Sequence, residues 1–526
     1  MDDHRYEQYT EPVPGQIPAP PAAGGLTFTQ PVTRRQPACP LRRTKGRDLS
    51  LAAVLAAACF LFWDALLWAE GLGLAEAAGL AILLPAALIY LHNRPGRMTG
   101  FGRICAALYL IGAVSIAFSG DGSLKFLTVM TLALLFLLTV MNRLGLWTGS
   151  GLRCHLLDFF RVGFGMSYGR IGRGFWGLLH TGEEKAVKSK RSLALTLGLL
   201  CSIPVLVIVI PLLISSDAAF AGMLGKLDWS FAGKGLLSLH FGLFLALLLF
   251  SLLFTSEYGP KPMNRTVSRG LDPVAIAAFL GALSAAYVLY LLSQFAYFTN
   301  AFRGLLPKDF TVAEYARRGF FEMCGIVTIN LVLVAVAMGV CRKKAGKLPG
   351  AVKGLCLFLC VFSLILVATA LSKMVLYMHS FGLTRLRVLT SAFMVLLAAV
   401  VLFLALRLFI RRVPVAKLAI GLGAAILIAV SLANVDGMVS RYNVKAWKTG
   451  SLQSLDIEMI RGLGDGAVPV LDELSRCGDA EIAREAKAEL KLRRSDDAES
   501  DLRSWNLIGQ QAADILRARL TGENES

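Results

Sequence analysis

The sequence predicts an all-α protein, a polytopic transmembrane helix bundle of about 11 helices with a small helical C-terminal extracytoplasmic segment. Three observations lead there. The 526 residues are 55% hydrophobic and 17% charged, whereas a soluble domain carries roughly 25% charged residues. Apolar runs of about 20 residues, the length that crosses hydrocarbon as a helix, recur from residue 49 to residue 434. Beyond Asn434 the balance turns acidic, with 13 basic and 17 acidic residues. This composition excludes a collagen-like, disordered or disulfide-scaffold protein. The net charge of +18 is spread between apolar runs rather than gathered in one patch, so it reports membrane orientation rather than nucleic-acid binding.

Residues 1–48 hold Pro12, Pro14, Pro18, Pro20, Pro21, Pro31, Pro37 and Pro40 with almost no apolar periodicity. They read as a disordered, Pro-rich basic cytoplasmic tail. The first apolar run starts only at Leu49 and is too long for the core of a cleaved signal peptide. The same length argues against a twin-arginine signal at Arg34-Arg35. Residues 49–434 form the transmembrane domain. Its runs fall near 49–69, 72–91, 104–119, 124–141, 192–213, 236–255, 273–293, 320–341, 351–372, 388–410 and 416–433.

With a cytoplasmic N-terminus, basic residues on the inner side number seven in the tail and then three, nine, three, five and four in successive loops, 31 in all. The outer loops hold 10. Cytoplasmic loops of multi-pass membrane proteins carry this excess, so the expected location is a membrane crossed many times, with the N-terminus cytoplasmic and the C-terminus extracytoplasmic.

The longest inner loop, 142–191, mixes aromatic and basic side chains. Arg153, Arg161, Arg170, Arg173 and Trp176 are candidates for contact with anionic lipid headgroups at the cytoplasmic face. A solvated loop that only sets orientation is the alternative.

Between the seventh and eighth runs stands Thr311-Val-Ala-Glu-Tyr-Ala-Arg-Arg-Gly-Phe-Phe-Glu322. Thr311 and Glu314 have capping-box spacing, which predicts an external amphipathic helix over 311–318. That helix either lies on the outer interface or lines a polar pocket with Glu314, Arg317, Arg318 and Glu322. The ninth run can continue past Lys373 to His379, and Arg385 and Arg387 follow on the same side. Together with Asp64 of the first run, these nine residues make a candidate ligand-binding or gating cluster. Charges at the edge of hydrocarbon are costly unless they pair or meet water. Asn330, inside the eighth run, reads as an interhelical hydrogen bond.

Three segments resemble one family. The 311–322 segment is similar to Y-A-E-Y-A-R-R-G-F-F-E, Phe381-Gly-Leu-Thr-Arg-Leu-Arg387 to Y-G-L-T-R-L-R, and Asn434-Val-Asp-Gly-Met-Val-Ser-Arg-Tyr-Asn443 to N-P-D-A-x-I-A-R-Y-N. These are motifs of an uncharacterised bacterial polytopic membrane family, domain of unknown function 4173 (DUF4173). Val312, Phe381 and Val435 depart from it. The resemblance implies a bacterial membrane architecture and brings no activity, ligand or catalytic residue.

Residues 435–526 read as a soluble helical segment. Asn434 is placed to cap a helix with Asp436 in its first turn, Glu489 and Arg493 form an i,i+4 pair, and a last helix near 502–520 looks solvated and detached. Its surface suits a protein partner.

The ten cysteines and six histidines show no metal-ligand spacing, and no nucleophile motif or phosphate loop occurs. No cofactor, metal or catalytic residue is expected. Two functional classes remain: an envelope sensor or scaffold with an external helical partner-binding surface, and a transporter or lipid-handling protein with an outward-facing polar cavity. A membrane-embedded transferase, with Glu322 or Asp64 as acid, is a distant third.

Overall fold

A computed structural model describes residues 45–68, 73–93, 98–146, 160–179, 209, 229–258, 270–302, 320–342, 348–410, 412–496 and 504–524. Among these the chain is helical, with no strand beyond one isolated bridge between Leu271 and Cys341. Nine described helices are long and apolar enough to cross a membrane, by length and composition. The proposed helix at 311–318 and, Val209 apart, the run at 192–213 lie outside the described residues.

The apolar runs become α1 (Gly46–Trp68), α2 (Leu74–Tyr90), α3 (Gly100–Phe118) and α4 (Gly122–Leu144). A short π-helical turn (Arg161–Met166) and α5 (Ile171–Leu179) then lead to α6 (Trp229–Phe254). Helices α1 to α4 and α6 share one apolar core around Leu55, Leu84, Tyr109, Leu132 and Phe250, all essentially without solvent exposure. Glycine lets two of them meet closely: a Cβ on Gly242 of α6 would come within 2.9 Å of the Phe60 Cα of α1.

A second core joins α7 (Pro273–Phe302), α8 (Phe320–Val340), α9 (Gly350–Phe381) and α10 (Arg385–Phe409). Three of its helices are stitched by a polar chain. Tyr287 Oη donates to Asn330 Oδ1 (2.9 Å), and Asn330 Nδ2 donates to Ser363 Oγ (3.1 Å). In hydrocarbon, where water offers no alternative partner, such a chain fixes the helix register. Asn330 therefore does what its position suggested. Cys356 and Cys360 are buried packing residues of the same core.

Helix α11 (Val415–Leu432) packs on α3, α4 and α10 and so links the two halves. The fold continues through α12 (Val435–Lys448), α13 (Ile457–Arg461), a 3-10 turn (Asp465–Ala467), α14 (Val468–Leu474), α15 (Ala480–Asp496) and α16 (Leu507–Asn524). These helices have their own core of Val439, Ile460, Leu471, Leu474, Ala486 and Leu516, and that core reaches Leu124 at the start of α4.

The detached last helix is corrected. Ala512 and Leu516 of α16 are buried, the Arg519 guanidinium pairs with Asp472, and the Trp505 carbonyl just before α16 accepts from the Leu74 N–H of α2 (2.9 Å). The apolar stripe of α16 is narrow, so sequence alone shows a mostly polar helix; long-range partners dock it.

The other end of the bundle is basic. Arg47 donates to the Ile89 and Tyr90 carbonyls, Arg143 to those of Leu91 and His92, and Tyr90 Oη to Asp48 Oδ1 (2.7 Å). Two guanidinium groups thus satisfy the open carbonyls at the C-terminal end of α2, where the helix dipole favours cations.

Candidate functional site

The polar concentration of the fold lies where the C-terminal helices meet the ends of α3, α4, α9, α10 and α11. Chain reversal between α3 and α4 is made by Ser119-Gly120-Asp121. Asp121 caps α4: its Oδ1 accepts from the backbone N–H groups of Ser123 (2.8 Å) and Leu124 (3.3 Å). Its second oxygen stays available and lies 3.1 Å from Nε of Arg385.

Arg385 opens α10, after the Thr384 cap. Its guanidinium grips Asp436 in the first turn of α12 through Nε to Oδ1 (2.9 Å) and Nη2 to Oδ2 (2.6 Å), and the latter oxygen also accepts from the Gly464 N–H (2.8 Å). Asp436 and Asp121 are 5% and 9% exposed. Bidentate guanidinium–carboxylate geometry in a desolvated place is strong and directional, so this trio works as a clasp between bundle and C-terminal helices.

A second clasp lies beside it. Gly382 adopts φ +75° and ψ −176° at the end of α9, a region open essentially to glycine alone. The turn exposes the backbone of Leu383, whose N–H donates to Asn443 Oδ1 (2.7 Å) and whose carbonyl accepts from Asn443 Nδ2 (2.8 Å). The asparagine amide thereby replaces a neighbouring peptide.

One turn beyond Asp121, Lys125 is 3% exposed and sits in the fields of Glu76, Asp465 and Asp121. Glu76 is fully buried at the start of α2, its Oε2 accepting from the Gly73 N–H (2.6 Å). Burial pushes the Asp465 carboxyl above the usual range, with Arg493 and Lys125 pulling it back. Arg493 is answered by Glu489 (2.9 Å), the expected i,i+4 pair, and donates to the Arg461, Leu463 and Gly464 carbonyls.

Of the nine residues of the sequence-derived cluster, Glu314, Arg317 and Arg318 lie outside the described residues. Arg385 meets Asp121 and Asp436. Arg387 turns back to the Phe381 and Gly382 carbonyls and lies over the Tyr377 ring at 4.1 Å. Glu322 is exposed on the first turn of α8, His379 is exposed near the end of α9, and Lys373 and Asp64 are half-buried. Of the headgroup candidates, Arg153 lies outside the described residues. Arg170 donates to the Thr255 carbonyl (3.3 Å), Arg173 is half-buried, and Arg161 and Trp176 occupy the π-helical turn and α5.

Sequence reasoning passed over Asp121, Lys125, Asn443, Asp465 and Glu76. A usable signal was present in two Gly-Asp-Gly tripeptides, 120–122 and 464–466, each at a helix start. Among the described residues no group of three or more His, Cys, Asp or Glu is placed to hold a metal ion.

Residues 50–474 match the family model described as "Domain of unknown function (DUF4153)". This overturns the DUF4173 resemblance. The three motifs behind it are rich in Arg, Tyr, Asn and Gly, residue types that snorkelling, interfacial anchoring and capping favour in polytopic proteins generally, so they do not separate one such family from another. No curated protein and no solved structure matches the chain.

Proposed function

The chain belongs to the DUF4153 family, and from that premise we propose that it is a multi-pass scaffold or sensor of the bacterial plasma membrane. The N-terminus is cytoplasmic, and the C-terminal helices form an extracytoplasmic cap for a protein partner. The observation that carries this reading is the paired clasp, Arg385 with Asp121 and Asp436, and Asn443 with Leu383. It holds a compact helical unit rigidly against the bundle end, as a receiving surface coupled to α4, α9, α10 and α12 requires. The excess of basic residues in inner loops supports the orientation. At the opposite end, a hollow of about 570 Å³ between Arg47, Leu88, Ile89, His92 and Asn93 combines one guanidinium and polar side chains with aliphatic walls, which suits the headgroup and upper chain of an anionic lipid.

The reading differs from an outward-facing transport cavity in one physical respect: the cavity at the clasp has a volume of only about 10 Å³, far below the roughly 300–1,000 Å³ of small-molecule sites.

Two measurements in intact cells test it. An impermeant thiol reagent should label Cys477 but not Cys154 in single-cysteine variants. A photo-crosslinking residue at position 492, which is 60% exposed on α15, should give a discrete protein adduct that the same probe at position 289, on the lipid-facing surface of α7, does not. Labelling of Cys154 with Cys477 protected would reverse the orientation, and identical behaviour at 492 and 289 would remove the partner surface.

A further inference from the structure

The clasp encloses an imbalance of charge. Among the described residues, four carboxylates (Glu76, Asp121, Asp436 and Asp465) share this end of the bundle with the Lys125 ammonium and the Arg385 guanidinium, while Arg493 is taken up by Glu489. Uncompensated charge in a desolvated place is expensive.

Within the same cluster lies the cavity of about 10 Å³, whose oxygen-bearing walls are Ser119, Asp121, Ser431, Asn434, Asp436 and Gly466. A volume of that order holds one water-sized body. Ser431 is 1% exposed, lines this cavity, and its hydroxyl has no hydrogen-bond partner. Asp121, on the same wall, has a buried Oδ2 that accepts no hydrogen bond, although it lies 3.1 Å from Nε of Arg385 as an ion pair. Buried hydroxyl and carboxylate oxygens are satisfied in the great majority of proteins. Asn434, on the same wall, has φ 44°, the one left-handed non-glycine conformation among the described residues.

We propose that this cavity binds a desolvated monovalent cation of the size of sodium, held by the Ser431 hydroxyl, the Asp121 carboxylate and neighbouring backbone oxygens. Charge and chemistry select this class. The donors are hard oxygens, which exclude soft thiophilic metals. A divalent ion asks for more carboxylates, six to eight oxygens in the case of calcium, and here the two acidic walls are already shared with Arg385. A single positive charge lowers the local excess without competing with the guanidinium for Asp436. The cation would then pin three separate elements together: the α3–α4 turn, the end of α11 and the start of α12. The inference is independent of any protein partner, because it concerns only how the cap is held.

Thermal unfolding of the full-length protein in lipid nanodiscs tests it, with sodium chloride titrated against choline chloride and against potassium chloride at constant ionic strength. Sodium should raise the unfolding temperature saturably, and potassium, being larger, should need at least tenfold higher concentration. Ser431→Ala should weaken the apparent sodium affinity at least tenfold, and Asp121→Asn should abolish the response. Should Asp121→Asn fail to fold, Ser431→Ala carries the comparison alone. Equal unfolding temperatures in sodium, potassium and choline would mean that the cavity holds water only and would overturn the proposal, as would an undiminished sodium response in Ser431→Ala.

Discussion

Replacing Asp436 by alanine is expected to release the C-terminal cap, at a cost of about 3–5 kcal/mol, the usual penalty for removing one partner of a buried ion pair. The carboxylate receives two bonds from Arg385 and one from the Gly464 N–H. Truncation strands a guanidinium whose side chain is 30% exposed, together with a backbone donor. Asp121 remains beside Arg385 but is already committed to the α4 cap and cannot turn to replace both bonds. Asp436→Asn should cost less, because an amide oxygen still accepts from Gly464. Protease sensitivity of residues 449–456, which join α12 to α13, reports cap release directly. Asp436→Ala should be cut readily in membranes, wild type slowly and Asp436→Asn in between. A variant as resistant as wild type would show that the ion pair does not hold the cap.

Gly382→Ala should be the next most damaging change. The conformation at Gly382 costs about 1–3 kcal/mol for any residue with a Cβ. The new Cβ would also fall 2.5 Å from Asn443 Oδ1, so the amide that holds Leu383 has to move. Each of its two hydrogen bonds contributes on the order of 1 kcal/mol, more when a buried backbone group is left unpaired. Gly450 is the internal comparison: its φ is +76°, but nothing lies within 4 Å of a Cβ there. Gly450→Ala should therefore cost only about 1–2 kcal/mol of left-handed strain. Equal losses in the two variants would mean that the Asn443 contact contributes nothing.

The two sites show why the fold was legible in the sequence and its site was not. Apolar runs are local, and a span of about 20 residues without charge has few other readings; hence α1, α3, α4 and α6 to α11 follow the runs closely. Even the extension of the ninth run past Lys373 to His379 was visible in continuous helical residues, and α9 runs on to Phe381. Caps are local too, and Asn434 performs as expected, accepting from the Gly437 N–H (3.0 Å).

The clasp is not local. Asp121, Arg385 and Asp436 come from three distant parts of the chain, and each has a sufficient local role that hides the long-range one: Asp121 as a helix cap, Arg385 as an interfacial cation, Asp436 as a first-turn acid. Reading Arg385 toward Glu322 was reasonable on charge. The guanidinium instead found carboxylates fixed at helix starts, where backbone N–H groups had already oriented them. Docking of α16 was hidden for a related reason, since Ala512 and Leu516 make a stripe too narrow to announce burial until the α3–α4 turn and Asp472 supply the other side.

That docking also offers the most direct test of the cap. A Cβ on Gly120 would lie 3.7 Å from Cβ of Ile508 and 3.3 Å from its Cγ2, within the roughly 3.5–4.5 Å Cβ separation of a disulfide. Gly120→Cys combined with Ile508→Cys, oxidised in native membranes and cut by a protease site placed within residues 449–456, should leave the two halves linked until a reductant is added. Each single variant should separate at once. If the double variant separates without reductant, α16 does not rest on the α3–α4 turn, and the C-terminal helices are not a cap on the bundle.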